Sequence, residues 1–488
     1  MPVSLTNLST ILAQVSKYLI IILMVIYTVQ CYTVFRYRTK QSQSYVFTRQ
    51  NVSMFIIHFV AYLIMFLDQQ NIQIAVFYVI QLAYLLLALL LLTHLYPKSS
   101  RLLVNNMLML IAIGLIMITR LTYASAVRQF EMEAVGTVLA LIIPVIVRKA
   151  MGLTKLTWFY VFVGLGLLAL VLVAARSTYG AKLSLSIHGF TFQPSEFVKI
   201  IFVFAVAGLL SGKKDRKRII IATALAAAHV LILVASTDLG SALIFFITYL
   251  VMLFAATRNP FLVLSGVVAG ILAAVLAYFM FAHVRVRVQV WLDPFSDYAG
   301  TGYQVSQSLF SIAAGGWFGT GLGQGSPTAI PVVQQDFMFS AICEELGGIF
   351  AICLILVCLS CFIMFINIAM KLENRFYRLV ALGLGSTYAV QCFLTVGGDM
   401  KMIPMTGVTL PLVSYGGSSA LATIVTFSIV QGLYTMRRDE EDKDEEEKYG
   451  QYGSYGQYPD DGYGSYGQKK QNSRVDPGPG NQSEFGRK

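Results

Sequence analysis

Between Gly302 and Gly347 the chain gathers much of its chemistry into one polar stretch. It reads Gly302-Tyr-Gln-Val-Ser-Gln-Ser, then a glycine-rich run from Gly315 to Gly325, then Gln335-Asp-Phe-Met-Phe-Ser-Ala-Ile-Cys-Glu-Glu-Leu-Gly347. Asp336 stands where this stretch turns back into an apolar helix, and a carboxylate there is costly to hold unless it has a function. Ionised, it can take a proton from a hydroxyl as a general base; it can equally cap the helix that follows. Spacing alone leaves both roles open.

Other groups with chemical capacity cluster around it. Arg285 and Arg287 precede Leu292-Asp-Pro294, and guanidinium groups match phosphate oxygens in geometry as well as charge, although such residues also snorkel to lipid headgroups. Glu196 and Lys199 are three apart at the start of a helix, so they share a face and should pair, either as a structural ion pair or as the lining of a substrate cavity. Pro194 suits the first helical turn, with Gln193 or Ser195 near the cap. Asp293 and Asp297 flank Pro294 as turn formers or as candidates for a divalent cation, Mg or Mn. Glu344 and Glu345 lie about two turns below Asp336 and are expected to form interhelical hydrogen bonds.

The glycines at 315, 316, 319, 321, 323 and 325 are too dense for an ordinary helix. They point to a broken or re-entrant segment, with a flexible loop as the competing view. Pro411, Ser414, Tyr415, Gly416 and Gly417 repeat the pattern, and their backbone amides could bind phosphate; close helix packing explains them almost as well.

These residues need a membrane scaffold. The chain is 56% hydrophobic and 12% charged, with apolar runs near the ~20 residues that cross a bilayer. Thirteen spans are expected: 11–35, 52–67, 74–95, 102–118, 134–147, 158–175, 197–210, 219–234, 239–256, 261–281, 337–368, 379–396 and 418–434, in an all-α polytopic membrane protein. No cleavable signal is apparent, because the first run lacks a basic leader and more spans follow.

Lys and Arg collect at 36–49, 98–101, 148–155, 213–218, 258, 371–378 and 437–438, all on one side if thirteen spans are counted. That side should be cytoplasmic, which puts the N-terminus outside, the C-terminal tail inside, and 176–196 and 283–336 in external loops. Residues 1–438 carry 29 Lys and Arg against 13 Asp and Glu, and the tail 7 against 12. Topology and anionic lipid account for these cations; they form no single soluble face, so nucleic acid is not an expected partner. The six cysteines sit in apolar segments without a ligand pattern, so neither a disulfide nor a zinc site is expected.

Residues 439–448 are acidic, and a Tyr/Gly/Gln/Ser tract follows; both are expected to be disordered. Residues 1–101 hold three spans with few polar groups, 102–438 form a ten-span working unit, and 439–488 are the tail.

In this order the motifs resemble those of the SEDS proteins of bacterial cell-shape, division and sporulation systems. They are Phe192-Gln-Pro-Ser-Glu-Phe-Val-Lys199, Asp238-Leu-Gly, Leu292-Asp-Pro with Gly302-Tyr-Gln, the glycine run, Asp336-Phe-Met-Phe with Glu344-Glu-Leu-Gly347, and Gly407-Val-Thr-Leu-Pro-Leu-Val-Ser-Tyr-Gly-Gly-Ser-Ser419. The resemblance implies a peptidoglycan glycosyltransferase. Such an enzyme polymerises lipid II, the undecaprenyl-diphosphate-linked disaccharide pentapeptide, at the outer membrane face. Asp336 then aligns with the family's essential external Asp and becomes the expected base. Arg285, Arg287, Glu196, Lys199, Gln193, Ser195, Tyr303, Gln304, Ser414, Gly416 and Gly417 become expected substrate contacts, and a cation at Asp293 and Asp297 would offset diphosphate charge. No organic cofactor is implied. A class B penicillin-binding protein, a transpeptidase, and other elongation or division proteins are the implied partners.

The chain departs from the family in two places. Gly180-Ala-Lys-Leu-Ser184 lacks the aromatic of the usual Gly-Ala-Lys-Arg-Trp, and Gly397-Gly398 replaces an expected Asn, with Asp399 and Lys401 following. A transporter of lipid II or another amphiphile is the alternative function. It would need charged groups open to both faces in turn, whereas Asp336, Arg285, Arg287, Glu196 and Asp293 all map to one.

Overall fold

The computed structural model describes residues 5–454, apart from 38, 150–151, 175–184, 188–189 and 213–214. The 180–184 stretch that departs from the family pattern lies outside the described residues. Thirteen of the described helices are long and apolar enough to cross a bilayer, in agreement with the number read from the sequence. They begin with α1 (Leu5–Thr33), α2 (Lys40–Gln69), α3 (Ile72–Leu95), α4 (Arg101–Leu121), α5 (Tyr123–Lys149) and α6 (Thr157–Ala174). A two-stranded antiparallel hairpin, β1 (Leu185–Ile187) and β2 (Phe190–Phe192), is the one departure from all-α architecture among the described residues. Then come α7 (Pro194–Ser211), α8 (Arg216–Ala235), α9 (Leu239–Thr257) and α10 (Pro260–Met280).

Three elements that do not span follow: α11 (Ala282–Leu292), α12 (Tyr303–Gly315) and the single turn α13 (Val333–Asp336). The last spans are α14 (Met338–Lys371), α15 (Arg375–Asp399) and α16 (Gly417–Ser454). Residues 283–336, expected as a loop, therefore hold nearly all of α11, the whole of α12 and the turn α13. Their polar composition hid them from any test based on apolar run length.

Helix starts follow capping chemistry. The side chains of Thr39, Asn71, Asp215, Asp238, Asn259 and Asn374 each accept a hydrogen bond from a first-turn amide, and Pro194 and Pro260 occupy first-turn positions where no amide is needed. At the other end, α16 continues through the acidic run to Ser454, where disorder was expected; the Tyr/Gly/Gln/Ser tract beyond residue 454 lies outside the described residues. Propagating an existing helix into Glu- and Lys-rich sequence costs far less than nucleating one. Residues 440–488 form a unit separate from 1–439.

Helix α4 is the centre of the bundle, with every residue from Leu102 to Thr119 buried. Helix α14 packs against α1, α4, α12 and α15 and so joins the N-terminal helices to the rest. In lipid such packing depends on close contact rather than on expulsion of water.

Basic clusters that the topology puts on one side do meet there. Lys98 and Arg148 reach Asp439 at 2.8 and 2.5 Å, and Arg375 donates to the Gly212 and Ala256 carbonyls at 2.9 and 2.7 Å. The polar segments from α11 to α13 occupy the opposite end, reached by the C-terminus of α10.

The glycine run behaves as a re-entrant strap. Helix α14 breaks at Gly347, whose φ of 88° is left-handed, and the break frees backbone groups on both sides. Thr320 and Gly321 donate their amides to the Glu344 and Glu345 carbonyls at 2.9 and 3.0 Å, while Gly348 donates to Gly316 at 2.9 Å. Irregular backbone here is tolerated because the freed carbonyls of 344 and 345 and the freed amides of 348 and 349 find protein partners.

Candidate active site

A cavity of about 290 Å³ opens at the polar end, between α11, α12, the turn α13 and the segment joining α15 to α16. Arg287 and Trp291 face it from α11, Gln304 from α12, Asp336 from α13, Gly398 from the end of α15, and Lys401 and Gly407 from the last segment.

Asp336 is the final residue of α13. Phe337, not Asp336, occupies the N-cap position of α14, and no side-chain bond caps that helix. The capping alternative is therefore not realised. The half-buried carboxylate accepts no hydrogen bond from the described residues and turns to the cavity instead. Burial pushes the Asp336 carboxyl up to about 6, and the Arg287 guanidinium holds it back from rising further.

Arg287 is anchored from behind, donating from Nη1 to the Met405 and Thr406 carbonyls at 3.2 and 3.1 Å. Burial pulls its pKa below the usual guanidinium value, while the nearby Asp336 and Asp238 carboxylates support its charge. A Cβ built on Gly407 would lie 3.9 Å from Arg287 Nη2 and 4.0 Å from Asp336 Oδ2, so the two charges lie within about 8 Å of each other. They are not paired: the ion pairs of the described residues include no Asp336–Arg287 bridge. With no bridge closed between them, the acid and the cation both remain open to the cavity.

Arg285 is exposed and does not line this cavity. Two residues along a helix rotate a side chain by about 200°. Only one of the two arginines can therefore enter.

Glu196 and Lys199 form the expected buried pair at 2.8 Å. Lys199 also donates to Gln391 Oε1 at 2.7 Å, and Gln391 donates to the Thr409 carbonyl at 3.0 Å and to Ser419 Oγ at 3.2 Å. The pair thus holds the segment before α16 rather than lining the main cavity. Gln193 donates to Ser195 Oγ at 3.2 Å, and Ser195 donates to Asp238 Oδ2 at 3.2 Å, which ties the start of α7 to the start of α9.

Tyr303 meets Tyr298 edge to face with ring centroids 5.9 Å apart and does not line the cavity. Ser414 accepts from the Leu410 amide at 3.1 Å, and Gly416 gives its amide to Gln129 at 3.0 Å. Gly417 begins α16 against Met132, so this segment packs rather than presenting a free phosphate nest.

Asp293 and Asp297 each close a local turn, accepting from the Phe295 and Thr301 amides at 3.0 and 2.8 Å. No group of three or more acidic, His or Cys side chains that could hold a metal occurs among the described residues. The cysteines are free, five of the six buried and Cys392 partly so.

Lys401, Trp291 and Gln391 were not among the expected contacts. Lys401 adopts a left-handed turn with φ 58° and donates to the Leu292 carbonyl at 3.3 Å, while Trp291 Nε1 donates to the Lys401 carbonyl at 3.2 Å. The signal for Gln391 was a polar side chain inside an apolar span.

The cell cycle protein model FTSW_RODA_SPOVE matches residues 100–439. This chain belongs to the FtsW/RodA/SpoVE family, the SEDS proteins. Among the relatives of this SEDS protein, the peptidoglycan glycosyltransferase RodA of Mycobacterium bovis is 36% identical over 363 residues, covering 68% of this chain and 77% of that one. RodA of Mycobacterium leprae is 35% identical over 360 residues with the same coverage. A solved chain from the structural coordination of polymerization and crosslinking by a peptidoglycan synthase complex matches with a TM-score of 0.60 at 26% identity, over 70% of this chain and 98% of that chain. Thermus thermophilus RodA, with a TM-score of 0.54 at 24% identity over 69% of this chain and 96% of its own, shows the shared fold.

Proposed function

We propose that this SEDS protein is a peptidoglycan glycosyltransferase that polymerises lipid II into glycan strands, with Asp336 as the general base. Family membership and the RodA relatives support the reaction class. The observation that carries the residue assignment is the unpaired Asp336 carboxylate facing Arg287 across one cavity.

The acceptor sugar hydroxyl enters beside Asp336 and loses its proton to that carboxylate as its oxygen attacks the anomeric carbon of the donor. The bond from that carbon to the diphosphate breaks, and negative charge develops on the leaving lipid diphosphate. Arg287, already fixed by two carbonyls, and Lys401 supply positive charge without having to reorganise. The prenyl chains stay in the bilayer, and only the polar ends meet in the cavity.

With the basic clusters in the cytoplasm, the cavity opens at the outer membrane face and the N-terminus lies outside. A class B penicillin-binding protein is the partner we assign. The likeness to a chain of a synthase complex that coordinates polymerisation with crosslinking supports that assignment.

The test is purified protein with labelled lipid II in detergent or liposomes, with and without the transpeptidase. A ladder of glycan products supports the proposal. Movement of intact lipid II between leaflets without polymer would instead establish the transporter.

A further inference from the structure

The family match begins at residue 100, so the α1–α3 segment precedes the region that defines the family. Its first helix is nonetheless built into the machinery behind Asp336. Residues of α1 meet the glycine strap in antiparallel order: the Tyr18 ring lies 5.6 Å from Phe318, Lys17 Nζ donates to the Gly319 carbonyl at 3.1 Å, and Gln14 Nε2 donates to the Thr320 carbonyl at 2.7 Å. Gln14 and Lys17 are three apart and so share one face of α1.

The strap has two hydrogen-bonding sides. Its amides at 320 and 321 are taken by the α14 carbonyls that the break at Gly347 releases. The carbonyls of Gly319 and Thr320 receive their donors from α1. Gly319 is buried, and a backbone carbonyl held away from water needs a protein donor.

The same helix is fixed to α14 on the far side of the break, where Tyr32 donates to the Leu356 carbonyl at 2.7 Å. Beyond the strap, Arg120 bonds Glu345 at 3.0 Å and the Gly325 carbonyl at 3.4 Å, and Ser326 gives its amide to Glu344 at 2.6 Å. The chain then passes through a 3-10 turn at Pro327–Ala329 into the turn that carries Asp336, whose start lies seven residues after Ser326.

We propose that α1 is a built-in clamp on the 315–325 strap, and that Gln14 and Lys17 are positioning residues that fix the Asp336 turn against the cavity. This rests on Asp336 being the base. It gives the N-terminal addition a part in the reaction rather than in membrane anchoring alone.

The test uses the full-length protein in lipid nanodiscs, read by amide hydrogen exchange and by lipid II polymerisation. In Q14A/K17A, exchange at residues 316–326 should quicken by about thirtyfold, as expected for two lost hydrogen bonds of ordinary strength, with α15 protection unchanged. kcat should fall by a similar factor while KM for lipid II changes less than twofold, since no substrate contact is removed. Lys17→Arg, which keeps a donor, should restore both readouts when Gln14 is intact.

If the double variant loses protection throughout α14, Lys17→Ala alone is read instead, because it leaves the Gln14 bond in place. Unchanged exchange in the strap overturns the proposal. So does faster exchange with undiminished kcat, or an arginine variant as impaired as the alanine one. Retained activity in Asp336→Asn would defeat the base assignment separately, because the exchange readout does not depend on which residue takes the proton.

Discussion

Asp336 and Arg287 face each other across a cavity without closing into an ion pair, because Arg287 is held back by the Met405 and Thr406 carbonyls. A closed bridge would neutralise both groups. Held apart, the carboxylate can take a proton while the guanidinium meets the diphosphate.

That arrangement separates the two arginines of α11. Arg287→Ala should lower the polymerisation rate by about 10²–10³, the usual cost of removing a preorganised electrostatic group. Arg285→Ala, which removes an exposed side chain outside the cavity, should stay within about twofold of wild type, in keeping with the small effects of such surface changes. Initial rates on labelled lipid II distinguish them, and equal losses would refute the assignment.

The pH dependence has a defined sign. With the Asp336 carboxyl pushed up to about 6, the base is protonated and idle below that value. The rate should rise about tenfold per pH unit on the acid side and level off above about 7. In Arg287→Gln the opposing charge is gone and burial acts alone, so the acid limb should move to higher pH as the plateau falls. A limb that stays put or moves to lower pH contradicts the geometry.

Gly407 marks the point between the two charges, with a φ of 72°. Gly407→Ala forces a side chain into left-handed backbone, at roughly 1–2 kcal/mol, and sets a methyl between base and cation. Thermal unfolding should show the modest loss of stability. The rate should fall further than the unfolded fraction explains.

Glu196 and Lys199 are both buried, so Glu196→Gln or Lys199→Met alone leaves one charge without its partner and should destabilise by about 3–5 kcal/mol. The double substitution should recover most of that loss. Thermal unfolding in detergent checks both, and additive losses would show that the residues do not act as a pair.

Much of this was legible in the sequence, for identifiable reasons. The spans read as apolar runs, several of them short of a full crossing, and the placement of the basic clusters on one side supports the count of thirteen. The Glu196–Lys199 pair follows from i,i+3 spacing at a helix start, and the re-entrant strap from a glycine density no stable helix tolerates.

What stayed hidden depends on phase or on distant contacts. Without knowing that 282–292 is a helix, nothing chooses Arg287 over Arg285. Lys401 reaches the cavity only through its left-handed turn, and the amide of Gly416 is lost to phosphate because Gln129, nearly three hundred residues earlier, takes it. The donors that Gln14 and Lys17 give to the strap cross an even longer stretch of chain, and no local pattern announces them.

The most direct test of the central claim is single-turnover lipid II polymerisation by purified Asp336→Asn, whose side chain keeps its shape but cannot take the proton. The expected result is a loss of about 10²–10⁴-fold, the range that general-base catalysis contributes, with thermal unfolding close to wild type. Polymerisation at the wild-type rate by that folded variant would contradict it.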